Sequence, residues 1–331
     1  MSKQLNWGVI GAAGINGAVV PAIQASSRGR VVAIASRTLE KARAAADKFA
    51  IPTAYGSYEQ LLTDESIDAV YIPLPNHLHR EWTIRAAEAG KHVLCEKPLA
   101  LNAQEAQEMV DACAKAGVHL AEAFMYRHQP RWERIKNVIA SGEIGELRVM
   151  RGAFTFNMAA DKGNVRFHAD WGGGSLFDIG CYPVSTARFL LGNEPIAASA
   201  HALFSPEHDD VDMMLSGILE FPGDVSLTFD CGMWADFRNF FEVVGSDGRI
   251  EIPGTFIPND DDADFVVYSG GQRRVDKEPA VNQYSLQADR FARAVWGEDV
   301  PLVPATDAVR NMRALDALLR SAREKTRVTF D

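Results

Sequence analysis

The chain has 331 residues, too many for one average domain, and its 47% hydrophobic and 24% charged residues are enough for two ordinary soluble cores. Lys and Arg number 34 against 44 Asp and Glu, a net charge of -10 with no basic cluster, which argues against a nucleic-acid partner. No apolar run is long enough to span a bilayer and no signal-peptide pattern opens the chain, so no membrane partner is expected. The four cysteines (Cys95, Cys113, Cys181 and Cys231) lie far apart without a CxxC pair, as in a reduced, cytoplasmic protein.

The first 125 residues alternate short apolar runs with amphipathic segments, the rhythm of a parallel sheet with crossover helices. Strands are predicted at Leu5–Ile10, Val31–Ser36, Ala69–Leu74, His92–Cys95 and Val118–Ala123. Leu39–Phe49 reads as a helix capped by Thr38. Asn102 and Glu105 have capping-box spacing ahead of a helix over Ala106–Ala116, which Gly117 ends.

After Tyr126 the rhythm changes. One helix, Arg131–Ala140, precedes long alternating segments at Leu147–Asn157, Ala197–Leu203, Met213–Phe221, Val225–Cys231 and Phe240–Val244. Turn residues such as Pro222-Gly223-Asp224 and Ser246-Asp247-Gly248 join them, so a mostly antiparallel sheet is expected over residues 126–331. Helices at Pro183–Leu191, Tyr284–Trp296 and Asp307–Glu324 are expected to cover one face, with the acidic Pro258–Asp264 as a surface loop. The fold class is thus α/β plus α+β, in domains 1–125 and 126–331. An uncovered sheet face would favour a homo-oligomer, a dimer or a tetramer.

Gly8, Gly11, Gly14 and Gly17 cluster where a phosphate-binding turn belongs, after the first strand and before a helix. No register yields a strict G-x-G-x-x-G, because Ala13 and Asn16 fall at the second and third glycine positions. A Gly-rich turn in a domain that binds no nucleotide is the plainer alternative. The second strand ends in Ser36-Arg37 with no carboxylate, whereas an NAD site places Asp or Glu there. A hydroxyl and a guanidinium suit a 2′-phosphate, which points to NADP.

At the end of another strand stands Glu96-Lys97-Pro98, where doubly wound sheets hold their ligands. This triplet is similar to the E-K-P signature of the Gfo/Idh/MocA oxidoreductases. Ser57–Leu62, Asp68–His79 and Gly172–Tyr182 resemble the same family in the same order, so the likeness covers essentially the whole chain. Asp178-Ile179-Gly180-Cys181-Tyr182 looks like the family's D-x-G-x-[HY] segment, with Tyr as in the glucose-fructose oxidoreductase and NADP-dependent sugar dehydrogenase branch. The resemblance implies a Rossmann domain, a cis Lys97-Pro98 peptide and hydride transfer at a carbinol or carbonyl carbon of a small neutral sugar or polyol. It further implies that Gly11, Ala13, Gly14, Ile15, Asn16, Ser36, Arg37, Pro73, Asn76, His79, Glu96 and Lys97 hold the cofactor.

The expected catalytic groups are Tyr182, as proton donor and acceptor, Lys97 and Asp178. A phenol with a pKa of about 10 needs a nearby cation to act near neutrality, and an ammonium such as Lys97 would supply one. Arg127 and Trp171 are candidates for the substrate pocket, with Phe154 as a second possible wall. His77-x-His79 lacks a third ligand, so no metal is expected. The alternatives are a ketosugar reductase, a dihydrodiol dehydrogenase or, more remotely, a nucleotide-binding regulator without turnover.

Overall fold

In the computed structural model, which describes residues 3–258, 264–298 and 303–330, the chain up to residue 122 forms the expected parallel sheet. Its elements are β1 (Leu5–Ile10), α1 (Asn16–Ala25), β2 (Gly29–Ala35), α2 (Leu39–Phe49), β3 (Thr53–Tyr55), α3 (Tyr58–Leu62), β4 (Ala69–Ile72), α4 (His79–Glu88), β5 (His92–Cys95), α5 (Ala103–Ala116) and β6 (Leu120–Glu122). The strand order β3-β2-β1-β4-β5-β6, with every neighbouring pair parallel, is that of a doubly wound Rossmann sheet. The order reverses between β1 and β4, so the C-terminal ends of these two strands mark the switch point where such sheets bind ligands.

The second sheet follows α6 (Arg131–Ala140), with β7 (Leu147–Asn157), α7 (Cys181–Leu191), β8 (Ala197–Ser205), β9 (Val211–Phe221), β10 (Val225–Gly232), β11 (Trp234–Gly245), β12 (Gly248–Pro253), β13 (Phe265–Ser269) and β14 (Gln272–Asp276). The chain ends with α8 (Gln283–Val295), α9 (Thr306–Glu324) and β15 (Val328–Thr329). The nine strands run β14-β13-β12-β11-β7-β10-β9-β8-β15, antiparallel throughout except for the central β7–β10 pair. On β9, Met213, Leu215 and Leu219 are buried while Ser216 and Ile218 are exposed, the period-two pattern of a sheet covered on one side. α9 lies on the covered side, where Ser321 Oγ accepts from the Ala200 amide at 2.9 Å. The opposite face leaves Ile218 and Phe240 at 44% and 40% exposure. No helix among the described residues is long and apolar enough to cross a membrane.

The two compact units are not two consecutive stretches of chain. Residues 1–128 join 282–309, and residues 129–281 join 310–331. α8 was expected on the second sheet, but it belongs to the Rossmann unit. Its Phe291, Ala288 and Ala292 complete the core built by Trp7, Val9, Val20 and Ile23, with the Trp7 and Phe291 rings 5.0 Å apart. Ser285 Oγ donates to the Ala22 carbonyl at 2.8 Å, tying α8 to α1. The amphipathic pattern of 283–295 shows that one face is buried; it carries no information on which core receives it. The expected strand Phe240–Val244 is the middle of the longer β11, and β12–β14 lie where sequence patterning predicted no strand. Of the expected acidic loop, residues 259–263 lie outside the described residues.

The capping of α5 is as the spacing predicts. Asn102 Oδ1 accepts from the Glu105 amide at 2.9 Å, and Glu105 Oε2 accepts from the Leu101 amide at 3.2 Å. Asn102→Ala should therefore lower unfolding free energy by about 1 kcal/mol in urea titrations, with an unchanged denaturant slope.

Candidate active site

In the Rossmann unit the phosphate turn is built around one strained backbone position. Gly11 has φ +122°, and a Cβ there would lie 2.9 Å from the Leu74 side chain. Asn16, the residue that spoils the glycine pattern, is 1% exposed and donates from Nδ2 to the Gly11 carbonyl at 2.8 Å. Its side chain thus closes the turn from within. Ala13 and Ile15 are half-buried, while Gly14 has nothing within 4 Å of where a Cβ would stand, an open cradle at the head of α1. Such a turn at a helix N-terminus fits a pyrophosphate.

At the end of β2, Ser36 is buried and Arg37 is exposed, with Thr38 accepting from the Lys41 amide at 3.3 Å to cap α2. Arg37 makes no ion pair among the described residues, and its charge acts on the Tyr58 phenol of α3. Beyond β4, Pro73 is buried and Asn76 half-buried in the turn into α4.

His79 does not face outward. It is fully buried, with Nε2 2.8 Å from the Leu74 carbonyl and Nδ1 3.0 Å from the Pro98 carbonyl. It therefore sits between the turn after β4 and the turn after β5, and as a neutral ring it donates to one of the two carbonyls. Burial outweighs the carbonyl contacts and pushes its pKa down to about 4, with the Lys97 charge acting in the same direction. The Lys97-Pro98 peptide is cis. Glu96 Oε1 accepts from the Tyr71 hydroxyl at 2.7 Å, and Glu96 Oε2 accepts from the Lys97 amide at 3.3 Å. Glu96 is thereby oriented by β4, and Lys97 is half-buried beside it.

Arg127 has a different setting from the one expected of a pocket residue. Its guanidinium is 5% exposed, donates to Asp307 at 2.8 Å and lines a cavity of about 70 Å³ with Phe124, Gln287, Phe291 and Asp307. Burial opposes its charge, but Tyr126 and Asp307 over-compensate and hold its pKa above the ordinary arginine value.

In the second unit, a π-helical turn, Leu176–Gly180, runs directly into α7 and carries Asp178, with Tyr182 one residue into α7. Turns of this kind recur at functional sites. The Tyr182 ring is 4% exposed and packs against Phe154 and Phe256, with centroids at 5.5 and 5.3 Å. Phe154 is 3% exposed, so it supports the tyrosine ring and does not stand open as a wall. Trp171 is 39% exposed and stacks on His168 at 4.2 Å.

Arg166 joins this group, and sequence reasoning missed it. Its Nε donates to Asp178 Oδ2 at 2.6 Å, and its charge is held by Asp178 first and by the Tyr182 phenol in addition. The available signal was slight: Arg166 is the sole Lys or Arg between Gly163 and Tyr182.

A family model for the oxidoreductase family with an NAD-binding Rossmann fold matches residues 5–124, and the GFO/IDH/MocA C-terminal domain matches residues 132–251. The chain belongs to the GFO/IDH/MocA oxidoreductase family. It is 39% identical to a D-xylose 1-dehydrogenase (NADP(+)) of Haloferax volcanii, over 98% of this chain and 99% of that one. Among solved structures, an aldose-aldose oxidoreductase from Caulobacter crescentus complexed with glycerol superposes with a TM-score of 0.91 at 29% identity, covering 99% of this chain and 100% of that one. A 3-ketoreductase from Actinomadura kijaniata in complex with NADP and TDP-benzene gives 0.90 at 32% identity, covering 96% and 98%.

The buried neutral His79 makes an acid-stability prediction. Its folded pKa of about 4 lies below the ordinary 6.5, so its contribution is complete above pH 6.5 and is lost as pH falls toward 4. The magnitude is on the order of 3 kcal/mol. Melting temperatures measured from pH 7.5 to 4.5 should fall, and His79→Gln should flatten that dependence; an equally steep fall in the variant would remove His79 as its source.

Proposed function

We propose that this oxidoreductase uses NADP(H) to interconvert a carbinol and a carbonyl carbon on a small neutral sugar or polyol, as an aldose dehydrogenase does. The observation that carries the substrate reading is the ion pair that Arg166 makes with Asp178 on the turn that leads into Tyr182. The arginine is matched by a carboxylate, so the group offers hydrogen bonds in both directions without surplus positive charge. That suits sugar hydroxyls and gives a phosphorylated sugar no anchor.

The cofactor, when bound, accepts or supplies the hydride. Gly11, Gly14 and the head of α1 cradle its pyrophosphate, and Ser36 with Arg37 takes the 2′-phosphate. Ala13, Ile15, Pro73, Asn76 and Glu96 line the same strand ends, with Asn16 and His79 holding the turns in shape. Tyr182 gives or takes the proton of the reacting hydroxyl. The Arg166 charge lowers the cost of the phenolate, and Lys97, the lysine of the Glu96-Lys97-Pro98 triplet, is assigned a supporting role in the proton transfer. Asp178 accepts from neighbouring sugar hydroxyls, and Trp171 supplies an apolar surface. The buried, unbridged cysteines fit a cytoplasmic setting. The exposed apolar face of the second sheet is the surface through which a homo-oligomer forms.

A panel of neutral aldoses, ketosugars, sugar phosphates, aromatic dihydrodiols and simple alcohols, each with NADP(H), tests the substrate reading. Turnover confined to phosphorylated or aromatic compounds would overturn it. Arg37→Asp should weaken NADP binding by about 1–3 kcal/mol and leave NAD binding little changed. Equal kcat/KM with NAD in the native protein would refute the cofactor choice. Lys97→Ala and Tyr182→Phe should each lower kcat about 10²-fold while retaining cofactor binding by tryptophan fluorescence. In sedimentation at micromolar concentration the native protein should be a dimer or larger, and the double variant Ile218→Lys, Phe240→Glu should shift it toward monomer.

A further inference from the structure

Asp212 lies on β9 at 3% exposure, apart from the residues assigned to the chemistry. Its Oδ2 accepts from Ser175 Oγ and from the Leu176 amide, both at 2.7 Å. Those donors open the π-helical turn that carries Asp178 and delivers Tyr182. The first amides of a helical segment have no partner within it, and here a carboxylate from the sheet meets one of them. The chain makes room for it: Gly174 has φ +107°, and a Cβ there would stand 2.0 Å from Asp212 Oδ1. The Gly174 carbonyl in turn accepts from the Asp178 amide at 3.1 Å, so the anchor and the acidic residue share one short stretch of main chain.

This carboxylate is held against its own desolvation. Burial pushes its pKa up to about 6 from 3.8, although Ser175 and Leu176 pull it down. The ionisable groups facing it are few. From β10 comes the Cys231 thiol, 3.5 Å from Ser175 Oγ. From α9 comes Arg323, which lies over Phe204, the β8 residue paired with Asp212, and 3.9 Å from Asp210 on the approach to β9. On the turn itself Asp178 is paired with Arg166. Since the folded pKa exceeds the unfolded one, ionised Asp212 opposes folding as pH rises through this range. A charge that weakens the fold and is nevertheless clamped by two donors has its use in placement.

We propose that Asp212 is a positioning residue: its buried carboxylate anchors the start of the π-helical turn and thereby sets where Asp178 and Tyr182 stand for the reaction. The inference rests on the roles given to those two residues above.

The test combines kinetics with a measurement that needs no turnover. Asp212→Asn keeps the shape and removes the charge. It should lower kcat at least tenfold with cofactor affinity unchanged, and abolish an acid limb near pH 6 in the kcat profile. Ser175→Ala leaves the carboxylate but removes a donor that favours its ionised form, so the limb should move to higher pH. In the cofactor-free protein, amide exchange at Leu176 should accelerate in Asp212→Asn. Native kcat with an unmoved acid limb, or unchanged Leu176 protection, would overturn the proposal. Should Asp212→Asn fail to fold, Ser175→Ala decides by whether its limb moves. Full turnover in Tyr182→Phe would defeat the role of the tyrosine instead, and the Leu176 exchange would still decide whether Asp212 anchors the turn.

Discussion

The constraint on which this architecture depends is that main-chain groups buried where the chain leaves a strand or enters a helix must find partners inside the protein. Four buried side chains meet it. Asn16 serves the Gly11 carbonyl, His79 one of the carbonyls of Leu74 and Pro98, and Asp212 the amide of Leu176. Arg131, fully buried on α6, donates to the carbonyls of Gly254 at 3.1 Å and Thr255 at 2.5 Å. Each of these bonds stands in place of water, and an unmet group there costs roughly 1–3 kcal/mol. Three of the four stand beside candidate functional residues, so the shape of each half-site is set by polar residues that need not touch a ligand.

The same constraint accounts for the charges. His79 and Arg131 are both pushed down, to about 4 and about 10, and Asp212 is pushed up to about 6, in every case chiefly by burial. These are groups retained for hydrogen bonding at the expense of their solvation. Arg166 differs. Its partner Asp178 lies on the segment that carries Tyr182, and its pKa is raised because the opposite charge outweighs desolvation.

Much of the fold was legible in the sequence. Branched apolar runs gave the parallel strands, and the Asn102–Glu105 spacing gave the cap of α5. The Ser36-Arg37 pair and the Glu96-Lys97-Pro98 triplet stand at strand ends, as their chemistry required. What sequence could not supply was partnership. Nothing in the pattern of residues 283–295 says that Phe291 meets Trp7, 284 positions away. Asn16 looked like a flaw in a glycine motif because its acceptor, Gly11, is visible only in the folded turn. His79 looked like a ligand for the same reason. Arg166 and Asp212 passed unnoticed because a single charged residue has no periodicity.

The interrupted Rossmann unit bears on how the protein is made. Its core is unfinished until α8 closes over Trp7, yet about 150 residues of the other unit separate His128 from Asn282. At ribosomal speeds of 5–20 residues per second, the first-made sheet waits roughly 8–30 s with an apolar face uncovered before its last helix leaves the tunnel. The intervening unit reaches the same moment without its own C-terminal segment, residues 310–331. Nascent chains of this protein thus carry two incomplete cores at once, the first completed by residues 282–309 and the second by residues 310–331.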